Sequence, residues 1–206
     1  MTIGKLVLTV VVFLLGAAVV AEPIRNWVLW RIANFGSTPT CQNPGWLEPV
    51  ALLNAKATSY LPTDDGVTYF PANSTDGDLA TAWVALQKRE GSPLSISWTL
   101  AKPEVVRLVC VTPGYAKSMD RFKNNQRLKT FALSTGDEER VVSVPRIDAK
   151  AYQSSVSVTT SCLDCQSIEL TILDTYPAEK GNSEVAISEV MAHKDPRVWP
   201  LRLLSW

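Results

Sequence analysis

Two groups of polar residues have types and spacings that can do chemistry, and neither forms a catalytic arrangement. Asp76, Asp78 and Thr81 lie on a segment that is expected to turn at Gly77. Gly tolerates a positive φ angle and Asp bonds to its own backbone, so both residues favour a tight turn. Carboxylates and backbone carbonyls brought together on such a turn are the ligands that Ca²⁺ prefers. The alternative is a turn without Ca²⁺, in which Asp76 accepts hydrogen bonds from backbone N–H groups.

The second group is a basic and aromatic loop between two predicted strands, formed by Tyr115, Lys117, Arg121, Phe122 and Asn125. Aromatic faces flanked by hydrogen-bond donors can stack a sugar ring or the side chain of a partner. This pattern therefore predicts a ligand or partner site. The alternative is a solvated loop whose Phe122 ring is buried in the core.

Other arrangements that would indicate an enzyme are missing from the sequence. It has no Gly-rich phosphate loop, no zinc-protease helix and no nucleophile elbow. Carboxylates are plentiful, but no pair is marked by its context as acid and base. Lys and Arg total 20 and Asp and Glu total 20, so no net charge favours a nucleic acid as partner. We therefore expect a non-catalytic binding protein with no cofactor, apart from a structural Ca²⁺.

Four cysteines follow a hydrophobic N-terminal segment of the kind that directs export. An even number of cysteines in an exported chain indicates disulfides, and four cysteines allow three pairings. Cys162 and Cys165 flank a predicted hairpin tip, so we expect a local disulfide there, and Cys41 with Cys110 by elimination. A redox Cys-x-x-Cys motif would begin a helix, whereas a strand follows here. Zinc is disfavoured because His193 is the only histidine.

The elements that must position these residues are predicted to be strands. Short runs with apolar residues at every second position, separated by turns, are typical of a β-sandwich or barrel. Asp78 is expected to cap a short helical turn from Leu79 to Trp83, with the Trp83 indole anchoring the core. The seven predicted strands are Leu94–Leu100, Val105–Val111, Leu128–Leu133, Arg140–Val144, Ser155–Thr160, Gln166–Leu173 and Val185–Ala192.

Both ends of the chain indicate attachment to a membrane. Residues 1–35 contain an uncharged apolar run followed by Trp27 and Trp30, which predicts a transmembrane anchor with an interfacial flank, or else a cleaved signal peptide. Residues 36–49 resemble a linker because Pro and Gly interrupt any regular element. The tail 196–206 is apolar and basic, and it contains Trp199 and Trp206. We expect this tail to dock on a partner, on the sandwich or on the lipid headgroups.

The folded part of the sequence resembles a known family. Its motifs resemble those of discoidin-like domains, also called F5/8 type C or galactose-binding-like domains, and closest is the subgroup named after the translocation domain of streptococcal NAD glycohydrolase. The resemblance covers about residues 50–195. The matching motifs are Ala55, Ser59 and Leu61; Asn73 with Asp76–Asp78 and Thr81–Trp83; Trp98–Leu100; Gly114–Tyr115, Phe122, Asn125, Arg127 and Lys129; Tyr176–Pro177; and Ile187–Val190.

This resemblance implies a jelly-roll β-sandwich that binds glycans, lipids or proteins through loops at one end, without catalysis. Related sugar-binding modules carry Ca²⁺ at the turn of Asp76, Asp78 and Thr81 together with the closing-strand glutamate, here Glu189. The glycohydrolase that accompanies the streptococcal domain is absent, so no NAD chemistry is carried over. We expect a membrane-anchored, extracytoplasmic module that docks on a membrane protein complex as an accessory subunit; the alternative is a cell-surface carbohydrate-binding module.

Overall fold

The computed structural model describes residues 38–64, 66–86, 93–136 and 138–197 of the 206-residue chain. From Pro39 onward these residues belong to one compact unit. They form two five-stranded antiparallel sheets, which confirms the predicted all-β sandwich. The N-terminal helix that the sequence predicts lies outside the described residues.

The first sheet, sheet A, contains five strands in the order β1-β10-β5-β8, with β3 also paired to β10. Its strands are β1 (Glu48–Val50), β3 (Trp83–Leu86), β5 (Val106–Pro113), β8 (Val156–Thr159) and β10 (Glu184–Lys194). Because β3 pairs with residues 184–187 of β10 and β1 with residues 192–194, a gap remains between them along one edge of β10.

The second sheet, sheet B, has the order β2-β4-β9-β6-β7. Its strands are β2 (Leu52–Ala57), β4 (Ser95–Glu104), β6 (Arg127–Thr135), β7 (Glu138–Ser143) and β9 (Cys165–Tyr176). All seven predicted strands are therefore confirmed, with small shifts at their ends. The short strands β1, β2 and β3 were not predicted, since three to six residues give little alternation to detect.

The core lies between the sheets and contains two tryptophans whose side chains are fully buried. The Trp83 indole nitrogen donates to the Ser59 carbonyl at 3.0 Å, and that of Trp98 donates to the Ser74 hydroxyl at 3.1 Å. Each indole thus buries its apolar surface while its N–H group keeps a partner. The core position predicted for Trp83 is confirmed.

The helical turn predicted for Leu79–Trp83 does not form. Instead, the Thr81 amide donates to the Asp78 carbonyl at 3.0 Å in a single turn, and Trp83 begins β3. The strand prevails because alternation sends Trp83 and Ala85 into the core while Ala82 and Val84 pack on the opposite face of sheet A.

The sandwich has two distinct ends. At the terminal end, β1 begins at Glu48 and β10 finishes at Lys194, and the two residues are partners in the sheet. At the loop end, β5, β7 and β9 finish and β6, β8 and β10 begin. The loop end also carries the one α-helix among the described residues, α1 (Met119–Asn124), whose N-cap Ser118 hydroxyl accepts from the Arg121 amide at 3.2 Å.

Candidate functional site

The Asp76–Gly77 turn is joined to β10 through the Glu189 side chain. The Gly77 amide donates to Glu189 Oε2 at 3.1 Å, which joins the turn to the centre of the closing strand. Within the turn, Asp76 Oδ1 accepts from the Asp78 amide at 3.0 Å, and Asp78 Oδ1 accepts from the Ala80 amide at 2.8 Å. Gly77 has φ +78°, the left-handed conformation for which the turn requires glycine. The structure therefore brings the sequence-predicted residues together.

Several oxygens converge on the Thr81 hydroxyl. Thr81 Oγ1 lies 2.7 Å from Asp76 Oδ2, 2.9 Å from the Asp78 carbonyl and 3.4 Å from the Asn73 carbonyl. A hydroxyl has one proton to donate, so three neighbouring acceptors leave oxygens available to a hard cation. No three Asp, Glu, His or Cys side chains of the described ranges form a metal-binding group. The donor set thus fits Ca²⁺ only if backbone carbonyls and the threonine hydroxyl supply part of it.

Glu189 supplies the buried carboxylate of this region. Its exposed fraction is 6%. Burial, opposed by the Gly77 hydrogen bond and reinforced by the charges of Asp76 and Asp78, raises its pKa to about 7. A carboxylate with this pKa exchanges its proton near neutrality. A bound cation would favour the charged form, because it would offset the repulsion among the three acidic groups.

Three of the five residues in the predicted basic and aromatic binding loop are buried in the structure. Tyr115, Phe122 and Asn125 are 2%, 1% and 3% exposed, so their side chains are structural and neither ring is open to a ligand. The Tyr115 ring packs on the outer face of sheet A beside Ala186. Of the predicted binding residues on this loop, Lys117 and Arg121 are exposed.

Phe122 is buried because the backbone approaches it closely. A β-carbon on Gly114 would lie 2.9 Å from the Phe122 ring and 2.9 Å from Arg127 Cγ. Gly114 also has φ +92°, so a side chain there is excluded on both grounds. Arg127 stacks over the Phe122 ring at 5.0 Å and donates to the Phe122 carbonyl at 3.0 Å. Together these contacts hold α1 against the loop end.

An exposed aromatic pair that the sequence motifs do not predict lies on the loop after β2. Tyr60 and Phe70 are 49% and 41% exposed, with ring centroids 5.5 Å apart in an edge-to-face arrangement. They bracket the long loop after β2, which is fixed beside β3 because Leu61 donates to the Val84 carbonyl at 2.8 Å. The signal that could have identified them is two aromatics in a segment rich in Pro, Asp and Gly, without strand alternation.

A cleft of about 390 Å³ opens at the loop end between α1 and the β7–β8 connection. We call it the arginine cleft, and Phe122, Lys123, Arg127, Arg146, Asp148 and Glu179 are among the residues that line it. Lys123 pairs with Glu179 at 3.8 Å. Asp148 Oδ1 accepts from the Lys150 amide at 2.8 Å. Arg146 was not a predicted site residue, because the sequence alone does not show which loops meet.

The cysteine predictions divide into one confirmed and one corrected pair. Cys41 and Cys110 form a disulfide with their Cα atoms 5.6 Å apart, so the predicted linker 36–49 is fixed to sheet A at Cys41. Cys162 and Cys165 are free, buried thiols rather than the predicted disulfide. Both belong to the core, and Cys165 Sγ donates to the Ser167 carbonyl at 3.4 Å. Burial raises the pKa of the Cys165 thiol, and a neutral thiol is a poor nucleophile.

The described start of the C-terminal tail lies against Trp46, just before β1. The Arg197 guanidinium stacks 3.2 Å from the Trp46 ring centroid and pairs with the buried Asp195 at 2.9 Å. The predicted docking residues Trp199 and Trp206 lie outside the described residues. No helix in the described part of the chain is long and apolar enough to span a membrane.

Comparison with known proteins gives one family match and many structural matches. A model of the NAD glycohydrolase translocation F5/8 type C domain matches residues 48–193. Among curated proteins, no sequence matches the chain.

Three solved structures illustrate the fold. An F5/8 type C domain from Bacteroides fragilis is 14% identical, with a TM-score of 0.53 over 74% of this chain and 99% of that chain. A family 32 module of a family 31 glycoside hydrolase from Clostridium perfringens is 18% identical, with a TM-score of 0.51 over 73% and 92%. The Clostridium perfringens module CpGH89CBM32-5, in complex with GalNAc-β-1,3-galactose, is 19% identical, with a TM-score of 0.50 over 69% and 99%.

Proposed function

Because the chain belongs to the NAD glycohydrolase translocation F5/8 type C domain family, we propose that it is a non-catalytic module that binds a glycan outside the cytoplasm. Its folded part is a carbohydrate-binding-module-like domain. Similar modules are solved with sugars bound, as in the complex with GalNAc-β-1,3-galactose. The surface residues of this chain, rather than its fold, determine which sugar it recognises.

The observation that carries the proposal is the exposed Tyr60–Phe70 pair. Two large rings that are about half exposed leave apolar surface in contact with water. Burying that surface against a ligand would be favourable. Their edge-to-face contact and the hydrogen bond of Leu61 to β3 hold them in place without a ligand. A prearranged aromatic surface of this kind suits the apolar face of a sugar ring and lowers the entropy lost on binding.

A structural Ca²⁺ forms part of the proposal. Asp76, Asp78, Thr81 and Glu189 would hold it, together with the Asn73 and Asp78 carbonyls that converge on Thr81. The ion would neutralise the carboxylates that face one another here and stiffen the turn against β10. It would have no catalytic part.

We also propose that residues 1–35 anchor the module in a membrane, with the domain on the extracytoplasmic side. The Cys41–Cys110 disulfide supports this compartment, because such bonds persist in oxidising surroundings. Cys41 lies beside the start of β8, where its amide donates to the Ser157 hydroxyl at 2.8 Å.

A second candidate function is an accessory subunit that docks on a membrane protein complex. It is favoured by the Trp46–Arg197 stack, which holds the start of the apolar tail beside β1. Fractionation tests it: a chain that ends at residue 195 should stay in the membrane fraction and lose a stoichiometric partner. If the shortened chain keeps that partner, the tail does not form the docking surface.

A glycan array probed with the full-length protein in mild detergent tests the first function. We expect Tyr60→Ala and Phe70→Ala each to lower the array signal at least about fivefold, the loss of roughly 1 kcal/mol of stacking. Leu163→Ala is the matched control, since Leu163 is 62% exposed next to the start of β9 at the terminal end. Binding that is unchanged in both aromatic variants would rule out the proposed surface, and an array without signal would rule out the function.

A further inference from the structure

Positive side chains outnumber negative ones among the residues that line the arginine cleft. Three cations line it, Lys123, Arg127 and Arg146, against two acids, Asp148 and Glu179. Glu179 is engaged by Lys123 at 3.8 Å, and Asp148 caps the turn at Lys150. Neither arginine forms an ion pair with a carboxylate of the described ranges.

Arg127 is fixed in place and cannot leave the cleft. Its exposed fraction is 9%, and its guanidinium donates to the Phe122 carbonyl at 3.0 Å and to the Pro177 carbonyl at 3.3 Å. Burial, together with the nearby Arg146 charge, lowers the pKa of Arg127. A buried guanidinium without a carboxylate partner is costly, and a second guanidinium beside it adds to that cost.

Arg146 is the exposed member of the pair. It lies on the β7–β8 connection and forms no hydrogen bond or ion pair with any described residue, so its fork of donors is free. The apolar side of the cleft comes from Ile147. A cleft of about 390 Å³ falls within the size range of small-ligand sites.

We propose that the arginine cleft binds the carboxylate of an acidic saccharide, with Arg146 as the residue that grips it. This proposal rests on the glycan-binding function and adds the chemical class of the ligand. The planar guanidinium of Arg146 matches a carboxylate in a two-point hydrogen bond. Phosphate offers the same anionic oxygens, so the test separates the two sources.

Titration calorimetry of the full-length protein in mild detergent tests the proposal with tetragalacturonate and its methyl ester. The ester keeps the same sugar chain but replaces each carboxylate with a neutral, slightly larger group, so the comparison tests whether the carboxylates are needed for affinity. We expect tetragalacturonate to bind at least about fivefold more tightly than its ester, and Arg146→Ala to remove that preference. Arg140→Ala is the matched control, because it deletes the same charge from an exposed site on β7 outside the cleft.

Each outcome decides the proposal. Equal affinity for the acid and the ester, or a preference that survives Arg146→Ala, would overturn it while leaving glycan binding intact. No binding of either probe would also overturn it, and only a silent glycan array would then remove the glycan-binding function itself. Inorganic phosphate that displaces tetragalacturonate at equal concentration would assign the cleft to phosphate instead. Arg146→Lys should recover part of the preference, which a merely structural role would not require.

Discussion

The Gly77 amide donates a hydrogen bond of 3.1 Å to Glu189 across 112 residues of sequence. This bond connects the Asp-Gly turn to the strand that closes sheet A. It also places a buried carboxylate against Asp76 and Asp78, whose charges help to raise its pKa to about 7. The stability of the turn is therefore expected to depend on pH and on calcium.

The first prediction concerns pH. The pKa of Glu189 is higher in the folded protein, about 7, than its ordinary value of 4.5, so the folded state keeps a proton that the unfolded chain loses. This contribution to stability is fully present below pH 4.5 and is lost as the pH rises through about 7. In the wild type, we expect the free energy of unfolding to fall by on the order of 2 kcal/mol between pH 5 and 8 because of this group. In Glu189→Gln, which lacks the titrating carboxyl, this fall should be absent.

Chemical denaturation at several pH values measures this effect as the difference between wild type and variant. His193 has a pKa lowered by burial, which gives the opposite slope, but it is present in both proteins and cancels. Glu139→Gln, at an exposed strand position, should keep the wild-type slope. A difference between wild type and Glu189→Gln that stays constant with pH would contradict the raised pKa.

The second prediction concerns calcium. A cation that binds the charged form of Glu189 should raise the melting temperature at pH 8, because a ligand at 100 times its Kd stabilises by about 2.7 kcal/mol. Asp76→Asn should abolish the response, whereas Asp120→Asn, an exposed acid on α1, should leave it unchanged. Differential scanning calorimetry with calcium or with chelator decides this. Identical melting curves in both conditions would show that the turn is closed by hydrogen bonds alone.

The third prediction concerns the core. Trp83→Ala should lower the free energy of unfolding by about 3–5 kcal/mol, the range for deleting a large buried aromatic ring. Its indole is fully buried and its N–H group bonds to the Ser59 carbonyl. Leu86→Ala is the control on the same strand, since Leu86 is 45% exposed and should cost less than about 1 kcal/mol. A urea midpoint near that of wild type would place the ring outside the core.

The fourth prediction concerns the cysteines. Mass spectrometry after alkylation without reductant should find label on Cys162 and Cys165 only in denaturant, because both thiols are buried. Cys41 and Cys110 should take label only after reduction. Cys41→Ser should destabilise the domain by about 2–5 kcal/mol, as expected for loss of a native disulfide. A disulfide between Cys162 and Cys165 in the unreduced protein would contradict this prediction and support the pairing expected from the sequence.

The fold could be predicted because its signals are local or follow from the motifs. Period-two alternation identified β4 to β10, and the Asp-Gly turn followed by Trp83 marked the start of the core. The turn residues and Glu189 were also found from motif resemblance, although 112 residues separate Gly77 from Glu189. A contact between residues this far apart in sequence can be predicted only through the fold that the motifs indicate, because no local pattern joins the two residues.

The ligand-facing surface could not be predicted in the same way. Tyr115 and Phe122 have the composition of a binding loop, yet a glycine that brings the backbone close, Gly114, buries Phe122. Exposure depends on which loops pack together, as the meeting of Arg127 with Arg146 in one cleft shows. The same reason explains Cys162 and Cys165: their spacing fits a hairpin tip, but both side chains point into the core.

The most direct test of the central claim is purification of the full-length protein in mild detergent, followed by passage over the glycans that give array signals. If the module binds glycans, we expect the protein to be retained on the glycan column without a stoichiometric partner and to be released by free glycan. A protein that passes through the column while bound to a membrane protein in fixed ratio would contradict glycan recognition and favour the accessory-subunit function.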